Sequence, residues 1–118
     1  MTAFSSRKGR SKFGNVRTKV DGISFASKAE AARYQELKLL EKAGKIAVLT
    51  LQPRYSLESG GKTICTYVAD FEYFLTPADG SRRKVTEDVK GIETAVFKLK
   101  RKLFEAQYWP LTIVRGRA

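Results

Sequence analysis

A chain of 118 residues, 42% hydrophobic and 30% charged, has enough apolar material for one modest core and too much of it to stay disordered. Its 23 Lys and Arg against 12 Asp and Glu leave a net charge of +11, a field that draws phosphate backbones and makes nucleic acid the expected partner. With no histidine and one cysteine, Cys65, the chain excludes His-based nucleophile systems and an internal disulfide, so any hydrolysis rests on carboxylates, lysine and a hard metal ion.

Residues 1–20 carry Arg7, Lys8, Arg10, Lys12, Arg17 and Lys19 with no acidic residue, which reads as a flexible basic arm that lies along phosphates. The remainder, 21–118, reads as one folded domain. Asp21-Gly22 offers a tight turn, and Ile23 and Phe25 are the first apolar residues expected to be ordered. Ser27 followed by Glu30 fits a capping box, and the spacing of Ala29, Ala32, Leu37 and Leu40 predicts a helix over 28–43, stopped by Gly44.

From Ile46 to Leu57 the pattern turns β-like, with a bend or bulge expected at Pro53. Thr63 to Leu75 reads as one long strand. Alternation puts Cys65, Tyr67, Ala69, Phe71 and Tyr73 on one face and Ile64, Thr66, Val68, Asp70 and Glu72 on the other. A third strand is expected over 83–90. Thr94 then caps a helix through about Gln107, and Pro110 precedes a short strand at Leu111 to Val114. The expected class is α/β, in the order helix, three strands, helix, strand, around a mixed sheet. No apolar run approaches the ~20 residues that cross a bilayer, and the N-terminus lacks the apolar heart of a secretion signal, so no membrane role and a cytoplasmic location are expected.

The chemistry concentrates in Asp88-Val89-Lys90. Strand alternation sends Asp88 and Lys90 to the same side about 7 Å apart. A hairpin turning near 76–82 would set Asp70 beside Asp88, and two carboxylates at that separation bind magnesium, or manganese, with the Val89 carbonyl as a further oxygen ligand. Such an ion polarises a phosphodiester and acidifies water, while the compact Lys90 ammonium steadies developing charge. Glu30 is either a helix cap or a further metal ligand, and Gln52 has a side chain able to bond the nucleophile or a phosphate. Lys98, Arg101 and Lys102 form a basic helix face that offers phosphate contacts. Glu72 is an alternative ligand to Asp70. Glu87 falls on the face of Val85 and Val89, where an unpaired carboxylate is costly, so it needs a sheet edge or a basic partner. Cys65 reads as a core filler, and Trp109 either caps the core or marks a dimer contact.

Four segments, Ser27-Lys28-Ala29-Glu30, Leu51-Gln52-Pro53, Tyr67-Val68-Ala69-Asp70-Phe71 and Glu87-Asp88-Val89-Lys90-Gly91, together with the element order, resemble the PD-(D/E)xK nucleases. That superfamily includes archaeal Holliday-junction resolvases, many restriction enzymes and a transposon endonuclease subunit. The series is more closely similar to a group of short phage and prophage proteins and spans about residues 11–114. Ala69 stands where the motif's name calls for proline. The resemblance implies a single-domain restriction-endonuclease-like core with Asp70, Asp88 and Lys90 as metal and catalytic set, Glu30 supporting and Gln52 accessory.

The expected function is a magnesium-dependent endodeoxyribonuclease, needing no small-molecule cofactor, that resolves Holliday-junction or other branched DNA as a homodimer, since paired cuts need two sites and this chain carries one. Two alternatives stand beside it: a non-catalytic DNA-binding module, and a nicking or end-processing nuclease that works with a partner protein.

Overall fold

A computed structural model describes residues 17–116, so Arg7, Lys8, Arg10 and Lys12 lie outside the described residues. The first element is a hairpin, β1 Thr18–Val20 and β2 Ile23–Phe25, turned at Asp21-Gly22, where both residues take positive φ (54° and 77°). Lys19 and its neighbours, expected as part of a loose arm, therefore already sit in a strand. Helix α1, Lys28–Lys42, follows, its first turn closed by the Ser27 hydroxyl accepting the Glu30 N–H at 3.1 Å.

The expected strand over 46–57 is two strands, β3 Ile46–Leu51 and β4 Arg54–Ser59. The expected strand over 63–75 is likewise β5 Lys62–Val68 and β6 Phe71–Leu75. Both breaks fall at the same level. Leu51 pairs with Phe71 and Arg54 with Val68, so Gln52-Pro53 lies opposite Ala69-Asp70. Two hydrogen bonds bridge the gap, Gln52 N–H to Asp70 O at 2.9 Å and Ala69 N–H to Pro53 O at 3.1 Å. One long antiparallel ribbon is thus folded over at its waist. Pro53 brings no N–H to a ladder, and Gln52 takes a left-handed φ of 50°, which together divert the chain.

Strand β7, Arg83–Lys90, pairs antiparallel with β6, helix α2, Ala95–Gln107, crosses over, and β8, Thr112–Arg115, returns parallel to β7. The main sheet runs β3-β6-β7-β8 and is mixed, while β4-β5 and β1-β2 are separate two-stranded ribbons. The described residues form one α/β domain. Among them no helix is long and apolar enough to cross a membrane.

Two cores lie on either side of β7. Its odd-numbered residues Val85 and Val89 join Phe25, Ala31, Tyr34, Leu37, Phe71 and Tyr73 under α1. On the other side Tyr55, Leu57, Tyr67, Ala69, Phe97, Phe104 and Leu111 pack beneath α2, with Cys65 and Trp109 partly buried against them. Trp109 packs at the edge of this core, its indole N–H bonded to the Thr86 hydroxyl at 3.0 Å.

Candidate active site

The fold at the waist of the ribbon makes the site. Beyond Phe71 the strand that paired with β7 bends away, and the backbone edge of β7 loses its neighbour. Asp70, at the bend, replaces it: its N–H bonds Glu87 O at 3.1 Å and its carboxylate accepts the Val89 N–H at 2.7 Å. In an extended strand the N–H and C=O of one residue point to the same edge, so the Val89 carbonyl faces the same gap. The Lys90 carbonyl points the opposite way, accepting the Gly116 N–H beside β8, as alternation requires.

Asp88, 3% exposed, lies across this gap from Asp70, close enough for its charge to act on the Asp70 carboxyl. Burial first, and the Asp88 charge second, push the half-buried Asp70 carboxyl up to about 8. Lys90 Nζ lies 3.4 Å from Asp88 Oδ1, and the buried Tyr67 hydroxyl donates to Oδ2. The Lys90 ammonium also stands 4.2 Å from the centre of the Phe97 ring.

Glu30 is buried at 7% exposure at the head of α1. Burial raises its carboxyl, the Ala26 backbone opposes that by hydrogen bonding, and the Asp88 charge raises it further. Glu30 therefore senses the pair, as well as the charges of Arg17 and Lys90. Gln52 contributes its backbone N–H to the bend and leaves its side chain exposed.

Asp70, Asp88 and Lys90 thus converge, with the Val89 carbonyl and Glu30 beside them. Among the described residues, no group of three or more His, Cys, Asp and Glu side chains is arranged to hold a metal ion. What the site offers a divalent cation is the hard oxygen pair Asp70 and Asp88, whose mutual repulsion such an ion would relieve; the donor chemistry fits magnesium or manganese.

Other expected residues have different partners. Glu72 accepts from Tyr55 Oη at 2.6 Å and pairs with Lys84 at 3.1 Å, which occupies it outside the pair. Glu87 is fully buried and held by a two-pronged Arg33 contact at 2.9 and 2.6 Å, with the Tyr73 hydroxyl donating to it as well. Arg101 is drawn to Glu93 at 3.8 Å and Glu105 at 3.4 Å, so on the basic face of α2 it is Lys98 and Lys102 that stand exposed. Arg17 and Lys19 are exposed, Arg17 reaching Ser24 Oγ at 3.1 Å.

Sequence reasoning missed Tyr67. On one unbroken strand it would face away from Asp70, and only the break at Ala69-Asp70 lets its hydroxyl reach Asp88. It also missed Phe97 and Arg33, whose spacing along their helices gives no sign of a polar role. The one available signal was Glu87, a carboxylate on an apolar face that had to have a partner.

No curated protein and no solved structure matches this chain. Residues 10–116 match the family described as "Protein of unknown function (DUF1064)", a span that takes in both helices, every strand and the whole carboxylate site, and the chain belongs to that family.

Proposed function

We propose that the protein is a divalent-metal-dependent endodeoxyribonuclease of the PD-(D/E)xK type. The observation that carries this reading is the pairing of half-buried Asp70 with buried Asp88, with Lys90 Nζ 3.4 Å from Asp88, at a gap in the sheet of a chain with net charge +11. Without the two added ribbons, the helices and main sheet run α1, β3, β6, β7, α2, β8, which supports a restriction-endonuclease-like core.

In this reading Asp70 and Asp88 hold magnesium or manganese together with the Val89 carbonyl, and the ion supplies Lewis-acid stabilisation of phosphodiester hydrolysis. Lys90 presents a compact cation to the phosphate oxygens. Glu30 places a third carboxyl at the edge of the site, where it supports the pair and can hold a proton. Exposed Lys98 and Lys102 supply phosphate contacts along α2. A homodimer acting on branched DNA is the finer form of the proposal, supported by the exposed Ile92, Val96 and Leu99 on and beside α2.

A second reading, a DNA-binding module without catalysis, draws on one specific feature. Both Asp88 oxygens already have partners, Lys90 and Tyr67, so the site is satisfied without an ion. The deciding experiment incubates the protein with labelled four-way junction, fork, duplex and single strand, with magnesium and with chelator. The nuclease reading expects magnesium-dependent cleavage, fastest on the junction, that chelator and Asp88→Asn both abolish. Tight binding with no cleavage of any substrate, in magnesium or manganese, overturns it in favour of the binding module.

A further inference from the structure

Asp88 and Lys90 are aimed by two aromatic residues of the α2 core. Tyr67 and Phe97 are 4% and 7% exposed, their ring centres are 6.4 Å apart, and Tyr67 also meets the Phe104 ring edge-on at 5.6 Å. Phe97 itself is fixed by the start of its helix, since the Thr94 side chain accepts the Phe97 N–H at 3.1 Å. The Tyr67 hydroxyl holds one Asp88 oxygen and Lys90 holds the other, while the Phe97 ring lies 4.2 Å from the Lys90 ammonium. A lysine side chain has four rotatable bonds and loses its aim unless something restrains them. Here an ion pair and a π face restrain it together, the latter because an aromatic ring carries negative potential above its plane.

We propose that Tyr67 and Phe97 are positioning residues that lock the Asp88–Lys90 pair into its working geometry; the assignment rests on the nuclease reading above. Neither residue touches the substrate. Tyr67 orients the Asp88 carboxylate so that its remaining lone pairs face Asp70, and Phe97 keeps the Lys90 ammonium beside that carboxylate. The α2 core is in this sense part of the site: packing that buries Phe97 also fixes where a charge stands.

The test uses Phe97→Leu, Phe97→Tyr and Tyr67→Phe in the full chain, read by two independent measurements. In carbon–proton NMR spectra the Lys90 ε-methylene protons of the wild type should resonate upfield, shifted by the Phe97 ring. They should return to ordinary positions in Phe97→Leu and stay upfield in Phe97→Tyr. In cleavage assays at saturating DNA, Phe97→Leu and Tyr67→Phe should each lower kcat about ten-fold with DNA Kd unchanged, and Phe97→Tyr should recover most of it.

Ordinary Lys90 shifts in the wild type overturn the proposal. So does full kcat in Phe97→Leu despite a lost ring shift, and so does an equal loss of kcat in Phe97→Tyr, which marks a merely structural role. A wild type that cleaves no DNA removes the nuclease reading, and the NMR shift then decides by itself whether Phe97 holds Lys90.

Discussion

Two adjacent carboxylates on β7 meet opposite fates. Glu87 points under α1, is fully buried, and is matched there by the fork of Arg33 and by Tyr73. Asp88, one residue on, points the other way into a setting with Asp70 and Glu30 as like-charged neighbours, where Lys90 and the Tyr67 hydroxyl hold its two oxygens. Both are removed from water and both have partners, but the second also faces two further carboxyls. A buried charge that the fold has matched serves the fold, whereas one crowded by like charges is the kind of group that functional sites use. The contrast comes from strand alternation, which sends neighbours to opposite faces, and from the unlike cores waiting there.

The sharpest break of this contrast is Arg33→Ala. It leaves Glu87 buried without its cation, and stability should fall by about 3–5 kcal/mol, read as a lower urea midpoint. The double variant Arg33→Leu with Glu87→Leu should recover most of that loss, because the pair is removed without orphaning either charge. An Arg33→Ala protein as stable as wild type would show that Glu87 needs no partner and would dissolve the comparison.

On the other face the sign reverses: removing a carboxylate should stabilise. The folded Asp70 carboxyl lies near 8 against an ordinary value of 3.8. A group raised on folding contributes stability that is fully present below its unfolded value and is lost as pH climbs through its folded one. In chelator, the stability of the wild type relative to Asp70→Asn should therefore decline between about pH 4 and pH 8, leaving the variant the more stable protein at alkaline pH. Magnesium should reverse that order for the wild type only. Urea midpoints that stay parallel across this range would show that Asp70 and Asp88 do not oppose one another.

Glu30→Gln should have the smallest effect on stability, within about 0.5 kcal/mol, because the Ser27 cap uses the backbone N–H of residue 30 and Gln keeps an acceptor for the Ala26 backbone. On the nuclease reading, cleavage should fall about ten-fold to a hundred-fold, as for residues that support metal ligands. Unchanged cleavage together with unchanged stability would reduce Glu30 to a residue of the helix start and leave Asp70 and Asp88 as the whole site.

Much of this was legible one segment at a time. Ser27, Thr94, Gly44 and Pro110 punctuate the helices through local hydrogen bonding and allowed backbone angles, and both helices begin and end within a residue or two of where those signals put them. The third strand, 83–90, appears with the expected bounds, and its pairing with β6 runs without a register shift. The parity of Asp88 and Lys90 was equally legible, being a property of the strand alone.

Long-range pairing decided the rest. Whether Pro53 bends a strand or ends one depends on what lies opposite it, and Ala69-Asp70 gives no local sign of yielding at the same level. Only the assembled ribbon shows the two breaks to be one event, and that event frees Asp70 from the ladder, turns its carboxylate to the Val89 N–H and brings Tyr67 to Asp88. The match of Arg33 to Glu87 and of Phe97 to Lys90 joins residues 54 and 7 positions apart on different elements, and no periodicity encodes such a meeting. The sequence by itself determined which carboxylates and lysine share a strand face, because alternation is local. Tertiary structure decided which of the buried charges would be matched, because a partner is supplied by whatever element packs against it.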